Sequence, residues 1–244
     1  IASSQAQDTY PDNTVTFLVP YSAGGAPDFI ARIAAQQLQE QIGQPVIVDN
    51  RPGSNGNVAA SALSAAKTDG YTFLLVEGSL MSVNPHLYPS LSYNPTEDFI
   101  PVSLLGTAPT FLAVNPDLPV ATFQEFIDYA KAPEKQLNYG SSGIGSMHHL
   151  SMEALIQEFG LKMTHIPYKG SGQSVPALIG GEVDALFASY SAISAFAKAG
   201  RVKLLATNNP KRTAEAPNIP AIAETVSGFN FASKMGLVAY KGTP

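Results

Sequence analysis

The residues best suited to chemistry lie in three short turns rich in glycine and serine. The first is Val19-Pro20-Tyr21-Ser22-Ala23-Gly24-Gly25-Ala26-Pro27-Asp28, where an apolar run meets two glycines and then a Pro-Asp pair that suits a helix start. The second, Tyr139-Gly140-Ser141-Ser142-Gly143-Ile144-Gly145-Ser146, adds three serine hydroxyls as donors. The third, Tyr168-Lys169-Gly170-Ser171-Gly172-Gln173-Ser174, adds a lysine. Each turn is expected to carry a strand into a helix. It then presents unpaired backbone N–H groups and the positive end of a helix at the carboxyl edge of a sheet, where anions bind. One such turn can be a mere connection; three of the same kind point to a shared oxyanion-binding cleft. Gly24 and Gly25 are expected to be indispensable there, because the backbone would approach the ligand closely.

Catalytic signatures do not fit these turns. None reads as GxGxxG, GxxxxGK[ST] or GxSxG, which weakens nucleotide-binding and α/β-hydrolase readings. His148 and His149 are adjacent, so on a helix they diverge by about 100° and do not chelate one ion as an i, i+4 pair would. No metal or cofactor is expected, and a structural or surface role is favoured for His148. Asp28 is explained as a first-turn charge and Asp184 as a turn residue before a strand. Glu77, followed by Gly78 and Ser79, ends an apolar run and either lines the cleft or faces water. The enzymatic rival is a serine hydrolase or isomerase pairing Ser141 or Ser142 with His149, which requires nucleophile and base within hydrogen-bonding reach. Binding without turnover is the expected function.

Short apolar or β-branched runs predict strands over 15–19, 46–49, 71–76, 110–114, 137–139, 163–166, 185–188, 202–207 and 234–239. Helical spacing of Ile30, Ile33, Ala34, Leu38 and Ile42 predicts a helix from Pro27 or Asp28, ended by Gly43. Thr122-Phe123-Gln124-Glu125 forms a capping box for a helix through Ala130. Ser146 caps one to Gly160, and Ser174 with Pro176 opens a short third. Alternating strands and helices imply an α/β fold of mostly parallel sheets flanked by helices. The non-periodic stretch 93–109 would carry the chain to a second sheet, and 234–239 would return it to the first. The expected division is 1–107 plus 221–244 for one domain and 108–220 for the other, with the cleft between them.

Composition narrows the partners. With 244 residues, 45% hydrophobic and 14% charged, the chain can build either one large α/β domain or two of ~120 residues each, and its 20 Gly and 19 Pro are spread along it rather than clustered. A formal net charge of -5, with no run of Lys or Arg, argues against nucleic acid. Apolar runs are strand-sized, far below the ~18 to 20 residues of a spanning helix, so a soluble chain is expected; a monomer is expected as well. The absence of cysteine rules out disulfides and thiolate sites. The small, polar start Ile1–Gln7, with Ser4-Gln5-Ala6 in small-x-small form, is read as the remnant of a cleaved signal peptide.

Four blocks, in order, resemble a known family. They are Val19-Pro20 through Gly24-Gly25 to Asp28 and Ala31-Arg32; Val46 to Asn57 (VIVDNRPGSNGN); Asp69-Gly70-Tyr71-Thr72 into Leu74-Leu75; and His165-Ile166-Pro167-Tyr168-Lys169-Gly170 followed by Gly180-Gly181-Glu182-Val183-Asp184. The chain resembles the tripartite tricarboxylate transporter solute receptors, the Bug or TctC-like periplasmic binding proteins. The resemblance implies a two-domain, hinge-closing fold of the type II periplasmic binding protein kind that captures a small carboxylate and hands it to integral membrane transporter subunits. A carboxylate-sensing adaptor for a membrane sensor kinase would share that fold. By position, the resemblance puts Tyr21, Ala23, Gly24, Gly25 and the adjoining Asp28 on one side of the ligand, and Ser141, Ser142, Gly145, Ser146 and His149 on the other. Gly78, Ser79, Lys169, Gly170, Ser171 and Ser189 would surround the remainder. Two departures stand out. Phe187-Ala188-Ser189-Tyr190 lacks the acid or amide common after that strand, so the distal pocket is expected to differ. Family members also continue beyond 234–239 with helices over the first domain, whereas this chain stops at Pro244; an apolar sheet face is expected to be exposed there.

Overall fold

Two five-stranded sheets organise residues 10–244, the part of the chain that the computed structural model describes. The expected signal-peptide remnant at Ile1–Gln7 lies outside them. The chain runs through β1 (Val15–Val19), α1 (Ala26–Ile42), β2 (Val46–Asn50), α2 (Asn57–Ser64), β3 (Thr72–Glu77), α3 (Gly78–Ser82), α4 (Asn84–Leu87) and β4 (Phe99–Ala108). It then forms β5 (Thr110–Val114), α5 (Phe123–Lys131), β6 (Leu137–Ser141), α6 (Met147–Phe159), β7 (Met163–Pro167), α7 (Ser171–Ile179), β8 (Ala185–Ser189), α8 (Tyr190–Lys198) and β9 (Lys203–Thr207), and returns through β10 (Ser233–Tyr240).

The first sheet has the order β2-β1-β3-β10-β4 and the second β7-β6-β8-β5-β9. Both are mostly parallel, as expected, with one strand in each running against the other four. β1 pairs parallel with β2 and β3, and β6 with β7 and β8, but β10 and β5 run antiparallel to both of their neighbours. The antiparallel strands are those on which the chain enters a sheet from the other half. This also replaces the expected irregular crossing at 93–109. Most of that stretch is the strand β4, and the chain passes between the sheets at Pro109 alone. The strand escapes periodicity because it lies at the sheet edge and is exposed along most of its length, where Pro101 is tolerated without a ladder N–H.

The second passage comes later than expected. Asn208 Nδ2 donates to Ser151 Oγ and to the Phe231 carbonyl, while Ile222 and Phe229 are buried with Leu112, Phe126, Tyr139 and Met152 in the second core. The chain therefore stays with the second half until Ser233 rather than leaving it at 221. In the first half Phe17 and Leu75 pack against α1, and Leu63 and Leu74 pack on the other face. Outward-facing Ile100 and Val102 join Tyr71, Phe73 and Ala239 in an open apolar groove.

Helix ends follow the sequence signals. Gly43 closes α1 at φ 69°, Gly160 closes α6 at φ 66°, and Thr122 Oγ1 accepts from the Glu125 N–H at the head of α5. The exception is α7, which starts at Ser171 rather than Ser174 and contains Pro176.

Candidate functional site

Four helices begin at one place. Their N-caps are Gly25 for α1, Ser146 for α6, Gly170 for α7 and Ser189 for α8. Gly25, Ser146, Ser171 and Ser189 all line a single cavity between the halves, together with Tyr21, Thr110, Ser142 and His148. The cavity holds about 380 Å³ of space not filled by protein atoms. Its lining contains no Lys or Arg. Each helix N-terminus instead contributes roughly half a positive charge and unpaired N–H groups.

The second-half loop is built to keep protons available. Ser146 Oγ accepts from the His149 N–H at 3.2 Å, so its own hydroxyl proton remains free for the cavity. Ser142 Oγ and His148 Nδ1 are 2.7 Å apart, and burial pushes His148 down to about 4, leaving it neutral at pH 7. In either imidazole tautomer this pair keeps one proton that their mutual bond does not use. Thr110 Oγ1 is buried on the same wall, without a partner among the described residues. Ser146→Ala removes both a helix cap and a donor; a stability loss of ~1 kcal/mol is expected in thermal melts, with weaker anion binding. Unchanged melting and affinity would assign Ser146 neither role.

Other expected site residues shape the loop instead of lining the cavity. Ser141 Oγ accepts from the Gly143 N–H at 3.0 Å and meets His165 Nε2 at 2.7 Å. His149 Nδ1 accepts from the Gly145 N–H at 3.1 Å, and its ring stacks on His165 with centroids 4.2 Å apart. Neither serine therefore bonds to His149, and the pairing the hydrolase reading needs is not formed. His149 is replaced in the cavity by its neighbour His148, which sequence reasoning set aside. Gly145, at φ 83°, packs against Leu87 of the first half.

On the first-half side Tyr21 and Gly25 reach the cavity, whereas Ala23, Gly24, Asp28, Gly78 and Ser79 are not in its lining. Gly24 is required by its φ of 90°, not by close approach. Gly25 has a φ of -88°, and a Cβ there would meet its nearest neighbours at 3.6 to 3.8 Å, so its backbone tolerates a side chain that would intrude on the cavity. Asp28 tethers the turn by accepting from the Gly24 N–H and from Arg32. Burial raises its carboxyl, but these bonds outweigh that and hold it below the usual range. Glu77 does line the cavity; burial pushes its carboxyl up, against the opposing influence of the Ser233, Tyr21 and Ser79 hydroxyls beside it.

The halves touch across the cleft. The Ser22 N–H donates to the Lys169 carbonyl at 2.9 Å, and Tyr88 donates to the Ile144 carbonyl at 3.0 Å. Lys169 lines the adjoining mouth of the cleft, and Gly170, at φ 137°, lies against Ser22. Residues that sequence reasoning did not name for the site, Thr110 and Met235, sit where the chain enters β5 and β10.

The histidines behind the loop link stability to pH. Burial, and then the proximity of His149, push His165 down to about 4 from an unfolded value near 6.5, with Glu153 opposing the shift. The folded state therefore excludes protons that the unfolded chain accepts. Stability from this cluster is complete above pH 6.5 and is lost as pH falls towards 4. The melting temperature is expected to fall over that window, and to fall less steeply in His165→Gln. Parallel curves for the two proteins would dismiss the cluster as a source of acid sensitivity.

Among the described residues no helix is long and apolar enough to cross a membrane, and no group of three His, Asp or Glu side chains is placed to hold a metal. Residues 30–244 match the model of the tripartite tricarboxylate transporter family receptor. Among solved structures, the chain is similar to the Rhodopseudomonas palustris protein Rpa4515 with adipate, at 36% identity and a TM-score of 0.93, covering 96% of this chain and 79% of that one. It is similar to the periplasmic binding protein BugD, at 30% identity and a TM-score of 0.92, with coverage of 96% and 79%. It is also similar to MatC from Rhodopseudomonas palustris with bound malate, at 30% identity and a TM-score of 0.88, with coverage of 96% and 80%.

Proposed function

Because the chain belongs to the tripartite tricarboxylate transporter receptor family, we propose that it captures a small carboxylate between its two halves and delivers it to a membrane transporter. One observation carries the capture step: four helix N-termini and the Ser142, Ser146, Ser171 and Ser189 hydroxyls converge on a cavity without a basic side chain. A carboxylate with a pKa near 4 arrives ionised and is met by neutral donors and helix dipoles. Similar proteins holding adipate and malate support this ligand class. A ligand touching both halves stabilises the closed form by its differential affinity for it, and a membrane partner can distinguish that form from the open one. The periplasm is the compartment in which such a receptor works, and no covalent step is required.

The test is a thermal-shift screen over mono-, di- and tricarboxylates, hydroxy acids and acidic amino acids. A true ligand at 100 times its Kd adds about 2.7 kcal/mol, which corresponds to roughly 5–11 °C in a chain of this size. If no acid raises the melting temperature while ligands of another class do, the reading fails. Delivery is tested by uptake of the identified acid, which should be lost from cells lacking the gene.

A further inference from the structure

Glu77 is the one carboxyl group in the cavity lining, which also lacks Lys and Arg, and it enters no ion pair among the described residues. It is only 6% exposed. A buried acid with no cation beside it is costly unless it is neutral or supplied with donors. Its surroundings fix how many donors it has. Asn84 Nδ2 donates to the Asn55 carbonyl at 3.0 Å, so Asn84 Oδ1 is the atom that accepts from Asn55 Nδ2 at 2.8 Å. Asn55 must then turn its Oδ1 to Tyr21. The Tyr21 hydroxyl has one proton but lies 2.8 Å from Asn55 Oδ1 and 2.8 Å from Glu77 Oε2. All three groups are satisfied when Tyr21 donates to Asn55 and a protonated Glu77 donates to Tyr21; the upward push of burial on Glu77 agrees with this. Whether neutral or ionised, Glu77 then has acceptor capacity that Tyr21 does not use. The Ser79 and Ser233 hydroxyls beside it make no well-formed hydrogen bond among the described residues.

Resting on the carboxylate reading above, we propose that Glu77 determines specificity, favouring carboxylates that also bear a hydrogen-bond donor, a hydroxyl or an ammonium group, within its reach. A donor there satisfies the buried acceptor. A second ionised carboxylate there would meet an acid with no cation to offset either charge.

The experiment measures Kd calorimetrically for two matched series: succinate, malate and aspartate, and glutarate, 2-hydroxyglutarate and glutamate. In the wild type a donor-bearing member of at least one series is expected to bind about tenfold or more tightly than its bare parent. Glu77→Met should bring that ratio close to one. Glu77→Gln, which preserves size and an acceptor oxygen, should keep a hydroxy-acid preference and lose an ammonium preference, and it serves as the readout if the Met variant does not fold. Equal binding of bare and donor-bearing acids, or a ratio unchanged in both folded variants, overturns the role of Glu77 while leaving carboxylate capture intact. If no carboxylic acid binds at all, the functional reading itself fails, and this inference with it.

Discussion

Gly172→Ala is expected to weaken ligand binding by about 100-fold or more while leaving the ligand-free melting temperature almost unchanged. A Cβ on Gly172 would stand 2.1 Å from the Ala23 carbonyl oxygen and 3.1 Å from Ser22 Oγ. Both atoms belong to the first half, and no atom of the second half is nearer. The overlap therefore exists only when the cleft is closed. Gly172 lies in the first turn of α7, where alanine is the better helix former, so the open form should lose nothing. Relief would require one half to back away by about 1 Å or more, which draws the N-terminus of α1 away from those of α6, α7 and α8. If the ligand bridges the halves, most of its closed-form contacts go with that movement, and a 100-fold loss corresponds to about 2.7 kcal/mol. Calorimetry with the tightest acid of the screen, beside melts with and without it, decides the point. An undiminished ligand-induced shift in Gly172→Ala would mean that binding does not depend on closure.

The sequence made the turns that line the cavity more legible than the wall behind them. Ser146, Tyr21 and Ser171 could be found because turn residues at a strand-to-helix junction leave local, short-range signatures: a cap, a glycine pair, an apolar run. His148 could not. Adjacent histidines on a helix head differ only in which way they point, and that is decided by the packing of Tyr139 and His165, residues distant in sequence that pull His149 into a stack. Thr110, Met235 and the antiparallel entry of β5 and β10 were hidden for a related reason. Their position depends on the chain crossing at Pro109, and an exposed edge strand such as β4 has no hydrophobic period to reveal it. The late return at Ser233 was masked likewise, since Ile222 and Phe229 bury themselves from irregular segments. Local chemistry was readable where one turn sufficed to specify it, and was lost where two remote segments had to agree.

Asn55→Ala is expected to cost about 3 kcal/mol or more, lowering the melting temperature by roughly 6–12 °C. Asn55 is 3% exposed and sits at φ 49°, ψ 44°, a left-handed conformation that asparagine tolerates better than alanine. Its side chain spends every polar atom, accepting from Tyr21 and donating to Asn84, so its removal strands the buried Asn84 Oδ1 and unseats the Tyr21 proton, as well as imposing backbone strain. Asn55→Gly separates these terms. Glycine accepts the left-handed conformation freely but forms neither bond, so its melt should lie between wild type and Asn55→Ala, with the gap between the two variants near 1 kcal/mol. The same change reaches the ligand. Without Asn55 Oδ1 to receive it, the Tyr21 proton turns to Glu77, which can then ionise more readily, and any preference that depends on a neutral Glu77 should shift to higher affinity for ammonium-bearing acids. Melts of Asn55→Ala and Asn55→Gly that coincide with wild type would show that the Asn84–Asn55–Tyr21 chain does not hold this wall of the cleft, and would remove the proton count on which the protonated form of Glu77 depends.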